Sequence, residues 1–303
     1  MSEENSKLKT LLKEELAAIL TPYGAEGEKW AQALKATAGR SVVLVNKEEE
    51  PSEPGTQKSN LSRLFGKPLT SGAFRWPRDR QGEPMLFLAQ IDCKQLPPLP
   101  DYPHEGILAI FKSLTRESLA KGRESRSGAL KDRQSFYLHY FPEDVRGDLR
   151  EREDGKCLPP KPLVAASTVF LSLERCQPLA LPEGDDQLRT QLAAWTEKFN
   201  RLSLTKVSGV VGPAYDSAEL AEMKIIASFC ASGIGYSLSR KTDWHYGHLV
   251  ENAKEYEVVL VLSEADSLLA DGSTGDTGTN YIVMRRQDLI DKRFDRAWLF
   301  LAT

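Results

Sequence analysis

Cysteine is scarce in this chain: four in 303 residues, Cys93, Cys157, Cys176 and Cys230, well separated and forming no Cys-x-x-Cys pair. A zinc-knuckle or thioredoxin-type motif is thereby excluded, and the thiols read as reduced, partly buried small hydrophobes. A surplus of positive charge is missing too, since 40 Lys and Arg stand against 43 Asp and Glu for a net charge of -3. A general binder of phosphate backbones needs a basic excess, so no nucleic-acid partner is expected. No apolar run approaches the roughly 18 to 20 residues that span a bilayer, and the opening MSEENSKLKTLLKEEL is too charged for a secretory signal. These absences predict a cytoplasmic protein without membrane contact.

With 41% hydrophobic and 27% charged residues, the chain is long enough for one large or two medium domains with a genuine core. Leu8, Leu11, Leu12, Leu16, Ile19 and Leu20 recur at helical spacing and predict an amphipathic helix over 6–20, stopped before Pro22. Its apolar stripe either packs on the protein's own core or docks a partner. A second helix is expected over 26–38, closed by Gly39, and then SVVLV (41–45) has the β-branched character of a buried strand. The acidic NKEEEPSEPGTQKSN that follows reads as a surface loop, which sets residues 1–59 apart as a helical extension from a β-rich body over 60–303.

In that body MLFLAQID (85–92) and GILAIF (106–111) are strands joined by CKQLPPLPDYPHE, whose prolines deny it a place inside a sheet. SFYLHYF (135–141) and the run 162–176 are further β-rich segments, and 185–202 carries a helix with Leu188, Leu192, Trp195 and Phe199 on one face. The strands recur. Setting Gln90 over Leu262 lays LFLAQID on VVLVLSE, and 16 residues on, Gly106 or Gly278 opens another strand. Upstream, Gly66 matches Gly235 and Trp76 matches Trp244. The expectation is a duplication with halves at about 60–180 and 203–303, each burying one sheet face on the other and leaving a concave seam.

Gln90 and Asp92 stand two apart at a strand end and share a face, with Glu264 at the corresponding end of the second copy. They either present an amide and carboxylates to a ligand or satisfy the backbone of neighbouring loops. GSTGDTGTN (272–280) has the glycines of an anion nest but neither the lysine of a P-loop nor a following helix, so a tight turn closed by Asp276 competes with ligand binding. His245 and His248 in WHYGH lack further ligands nearby, and neither metal nor cofactor is expected. No Gly-x-Ser-x-Gly elbow is present. Trp76, Tyr102 and Trp244 either anchor a protein partner or fill the two half-cores.

LFGKP, FRWPRDRQGEPMLFLAQIDCKQLPPLP, EGILAIF and GDTGTNYIVMRRQDLIDKRFDRAWLFL together resemble the YwqG-like family of bacterial proteins, over roughly residues 60–303. The resemblance implies an α+β, mostly antiparallel fold with a pseudo-duplicated, two-lobed β-rich body behind the N-terminal helices, and it implies no reaction. The second half departs from the family pattern, reading GIGYSLSR and VLSEAD where a Gly-Gly-Tyr-Pro turn and a second Gln-Ile-Asp are usual. Two functions remain open. One is a binding protein for a protein partner, such as a toxin held by an immunity-type inhibitor. The other is a small-ligand binder or hydrolase-type enzyme using the acidic and amide groups of the inter-lobe cleft.

Overall fold

The computed structural model describes residues 3–46, 61–113, 136–155, 157–173, 186–204, 207–213, 217–234, 236–263 and 279–302. The chain divides into two compact units, Met1–Ser41 with Ser167–Lys206 and Pro213–Ser217, and Val42–Ala166 with Val207–Gly212 and Ala218–Thr303.

The first unit is helical. Helix α1 (Glu3–Leu20) gives way to a 3-10 turn over Thr21–Tyr23, where Pro22 denies the helix its next donor, and α2 (Gly24–Ala36) follows at once. With α3 (Asp186–Leu204) they enclose a core of Leu12, Leu16, Leu20, Trp30, Leu34, Leu171, Leu188, Leu192 and Trp195. The buried part of the α1 stripe therefore serves the protein's own interior. The Trp195 indole donates to the Leu12 carbonyl at 2.8 Å, giving the one polar atom of a buried ring a partner.

The second unit holds nearly all of a sheet built from β1 (Gly39–Asn46), β2 (Arg63–Leu64), β4 (Leu86–Asp92), β5 (Ile107–Lys112), β6 (Phe136–Phe141), β8 (Lys161–Phe170), β9 (Gly209–Val211), β10 (Tyr256–Ser263), β11 (Thr279–Arg285) and β12 (Trp298–Ala302), residues 39–41 and 167–170 falling in the first. A separate pair joins β3 (Leu69–Thr70) to β7 (Arg150–Glu151). The large sheet runs β12-β11-β10-β9-β1-β8-β2-β4-β5-β6. Read inward from either edge, it presents the same succession: a three-stranded meander, a short strand, then a longer one. Every pairing on either side of the central β1-β8 neighbours is antiparallel. The fold is α+β and β-rich, with two helices at its N-terminal end, and the strand order repeats in two halves; the second half includes β1, which the sequence reading had set apart with the helical extension of residues 1–59.

The two halves also share a bulge. Phe87 lies opposite Phe111 and Ala89 opposite Ile110, leaving Leu88 extra, while Val258 lies opposite Val283 and Leu260 opposite Ile282, leaving Val259 extra. In each half a residue in the left-handed region donates its N–H to the carbonyl of the bulged residue. Phe65 (φ 56°) reaches Leu88 at 2.9 Å, and Gly212 (φ 57°) reaches Val259 at 3.0 Å.

This shared bulge corrects the register of the repeat. Laying bulge on bulge sets Gln90 over Val261 and Asp92 over Ser263, not over Leu262 and Glu264, while Ile107 and Thr279 still open β5 and β11 as expected. A slip of one residue carries a side chain to the opposite face, so the correction changes which residues are equivalent. Trp76 and Trp244 are not counterparts either: the first is 8% exposed in the approach to β4, the second 81% exposed in a 3-10 turn. Gly235 and Gly278 lie outside the described residues.

Phe87, Gln90 and Asp92 stand opposite Phe111, Ala109 and Ile107, on the face where Phe74, Trp76, Met85, Phe141 and Leu149 complete an aromatic core. The other face of β5 carries Leu108, Ile110 and Lys112, and the matching face of β11 carries Asn280, Ile282 and Met284. Lys112 Nζ donates to Asn280 Oδ1 at 3.1 Å, so these two faces look at one another. All six side chains are buried, which fills with protein the seam that the sequence had left concave.

Candidate functional site

Gln90 is wholly buried, and its amide stitches backbone: Nε2 donates to the Leu61 carbonyl at 2.8 Å and Oε1 accepts from the Leu69 N–H at 2.9 Å. These are groups of the segments flanking β2 and opening β3, which the sheet leaves without ladder partners, and an amide serves both because it donates and accepts.

Asp92 caps the 3-10 turn Cys93–Gln95 through the Lys94 N–H at 3.1 Å. Both of its oxygens also meet the Arg146 guanidinium, Oδ1 at 2.6 Å and Oδ2 at 3.0 Å, in a bidentate fork. Arg146 Nε reaches Glu143 at 2.8 Å, and Glu143 in turn accepts from Lys94 Nζ at 2.5 Å and from the Gly106 N–H at 3.2 Å. The Lys94 hydrogen bond, followed by those from Arg146 and Gly106, holds the Glu143 carboxyl down at about 2. Burial and the neighbouring Asp92 push the Cys93 thiol up to about 12, so it is no nucleophile at neutral pH. This network ties β4, the start of β5 and the turn after β6 into one closed charge circuit. Sequence reasoning passed over Glu143 and Arg146; their i,i+3 spacing straight after a strand is the signal that was present.

Tyr102, on the segment after β4 of the first half, is held by the second half. Its hydroxyl donates to the Val259 carbonyl, the bulge position of the second half, and its ring lies against Gly212, where an added Cβ would sit 3.4 Å from it. Burial raises the phenol's pKa. Trp76 donates to the Met85 carbonyl at 2.8 Å and meets Phe111 edge-on at 5.3 Å between centroids, the core-filling alternative of the sequence reading. Glu264 and Asp276 lie outside the described residues.

Trp244 and His245 remain at the surface. They follow α5 (Leu238–Thr242), which Ser237 caps, and begin a 3-10 turn that α6 (Gly247–Asn252) continues. Asp243 organises the pair: its Oδ1 accepts from the His245 N–H at 3.0 Å and lies 3.0 Å from the ring Nδ1. The His245 backbone hydrogen bond, then its imidazole, lowers the Asp243 pKa. The imidazole and indole rings lie 3.7 Å apart between centroids, so the indole stands against a fixed neighbour. Leu238, 60% exposed, lies on the adjoining α5, with Arg240 and Lys241 in that helix's last turn.

The arrangement offers an apolar ring with a basic flank and no convergence of nucleophile, base and acid. Among the described residues no group of three or more His, Cys, Asp or Glu is placed to hold a metal ion, and no helix is long and apolar enough to cross a membrane. The sheet with its duplicated halves and the flanking helices define an α+β, β-rich domain. A family model described as a domain of unknown function, DUF1963, matches residues 62–302, and the chain belongs to that family. No curated protein matches the chain.

Proposed function

We propose that the protein is a binding module which recognises an acidic protein surface through the Trp244 indole. One observation carries this reading. The chain has five tryptophans, of which Trp30, Trp76, Trp195 and Trp298 are at most 8% exposed while Trp244 is 81% exposed. A buried tryptophan removes roughly 150–250 Å² from water, so leaving it out forgoes on the order of 4 kcal/mol that a partner's pocket would recover. The Asp243–His245 contacts hold the ring's neighbour in place before binding, which lowers the ordering cost on association. Arg240 and Lys241 beside it favour carboxylates on the partner.

The finer reading follows the sequence: a YwqG-like protein of the bacterial cytoplasm whose partner is a toxin that it neutralises. Its support is the run from Phe74 to Pro100 quoted above, and analogy with small bacterial inhibitors.

The test compares wild type with Trp244→Ala in affinity capture followed by quantitative binding. The variant should unfold at the wild-type denaturant midpoint, because the ring is hardly buried, and should bind the captured protein at least about tenfold more weakly, as a hot-spot truncation does. Recovery of no stoichiometric partner by wild type, or equal binding by the variant, removes this function.

A further inference from the structure

A recess lies away from Trp244 in sequence and chemistry. It is a cleft of about 330 Å³ lined by Ala231, Tyr256, Arg285, Asp288, Arg296 and Trp298. We propose that it is a binding site for a small oxyanion, a carboxylate or phosphate, carried on a molecule with a compact apolar part. This goes beyond the protein-partner reading and does not rest on it.

The lining comes from separate pieces of one half of the sheet. Tyr256 opens β10, Arg285 ends β11 opposite it, and Trp298 opens β12. Ala231 is the last residue of α4 (Ala218–Ala231), and Asp288 lies in α7 (Arg286–Ile290). Strand ends packed this way give a rigid floor, and rigid elements hold a charged fork at fixed spacing better than a loop does.

The fork is Arg285. Its Nε donates to the Tyr256 hydroxyl at 3.1 Å, and the same Nε is 3.9 Å from Glu255 at the rim. The Tyr256 hydrogen bond raises the arginine's pKa, and it also orients the guanidinium plane. Both polar contacts therefore fall on Nε. The two terminal nitrogens have no acceptor among the described residues, and these are the donors that match a carboxylate or phosphate bidentately.

The remaining charge is distributed in the same sense. Two guanidiniums and one carboxylate line the cleft, and that carboxylate is already shared: Asp288 Oδ1 lies 2.8 Å from Arg293 and 3.4 Å from Arg296. Arg293 also reaches Asp291 at 2.6 Å, and its Nε is buried without a hydrogen-bond acceptor. Trp298 and Ala231 supply apolar wall. The volume falls at the lower end of the roughly 300–1,000 Å³ range of small-molecule sites, which suits a metabolite-sized anion rather than a peptide.

Calorimetric titration of the full chain with inorganic phosphate and, separately, with benzoate tests the site and distinguishes the two oxyanions. At least one should bind saturably at one site per chain with a Kd below about 10 mM, and raised salt should weaken it. Arg285→Gln should weaken that probe at least tenfold and leave the unfolding midpoint unchanged. Arg296→Gln supplies the same reading should the first variant fold poorly. Trp244→Ala should titrate like wild type, so loss of partner binding and loss of the anion are separable. Absence of saturable binding of both probes to wild type, or equal binding by both well-folded arginine variants, overturns the proposal.

Discussion

The Gln90 amide donates to one backbone segment and accepts from another, so a residue with the reach of glutamine but no polar end leaves two buried groups without partners. Each such group costs about 1–3 kcal/mol. Gln90→Leu is therefore expected to lower stability by about 2–6 kcal/mol in urea or guanidinium unfolding. A near-neutral result would mean that the Leu61 and Leu69 groups find other partners. The residue was singled out in the sequence for its place at a strand end beside Asp92, and that placement holds: both lie on one face of β4. What composition and spacing did not reveal is which face, because the bulged Leu88 reverses the alternation between Phe87 and Gln90. Nor did they reveal that Arg146, 54 residues further on, closes on Asp92. Ion-pair partners across that distance are decided by the chain's path, not by local pattern.

At the scale of elements, the duplicated unit is more than a pair of hydrophobic strands. It is a hairpin with a bulge, braced by a short neighbouring strand whose next residue turns left-handed to reach the bulged carbonyl. Gly212 adopts that conformation at no steric cost, whereas Phe65 holds it in the other half with a side chain present. Gly212→Ala should cost about 1–2 kcal/mol for the left-handed backbone. A Cβ there would also meet Leu99 at 3.3 Å. Equilibrium unfolding measures it, and no loss of stability would show that φ relaxes in the variant. Most elements were legible in advance: the helix predicted over 6–20 spans Glu3–Leu20, the strand predicted over 85–92 spans Leu86–Asp92, and the helix predicted over 185–202 spans Asp186–Leu204. Helix α4 was missed. Its sequence AELAEMKIIASFCA is apolar on nearly every side, so periodicity has little to register, and it packs against β10 and β11.

On the scale of the whole molecule, the two half-sheets differ where they meet. Lys112 stands where the other half has Met284, and Asn280 stands where the first has Leu108, so the one polar pair interrupts two otherwise apolar faces. A buried ammonium is costly unless satisfied, and replacing both members with apolar residues of similar size is often neutral or favourable. Lys112→Met and Asn280→Leu are each expected to destabilise by about 1–3 kcal/mol, and the double variant by less than their sum, with a coupling of about 0.5–3 kcal/mol. Strict additivity in denaturant unfolding would show that the pair does not interact across the faces. Such a pair fixes how the two halves register against each other, a role for which purely apolar faces are less specific.

The sequence by itself determined the local matters: the bounds of the amphipathic helices, the longer strands, that these strands recur in two copies, and that the chain carries neither a cysteine-based metal motif nor a surplus of basic residues. These follow from propensity, periodicity and charge, which act between residues close in the chain. Only the tertiary structure decided that the seam is packed, that Gln90, Asp92 and Trp76 are absorbed by the framework while Trp244 stands in solvent, and that Arg285, Asp288 and Arg296 converge on one recess. Burial and convergence depend on distances between residues far apart in the chain, and a single bulged residue is enough to change them.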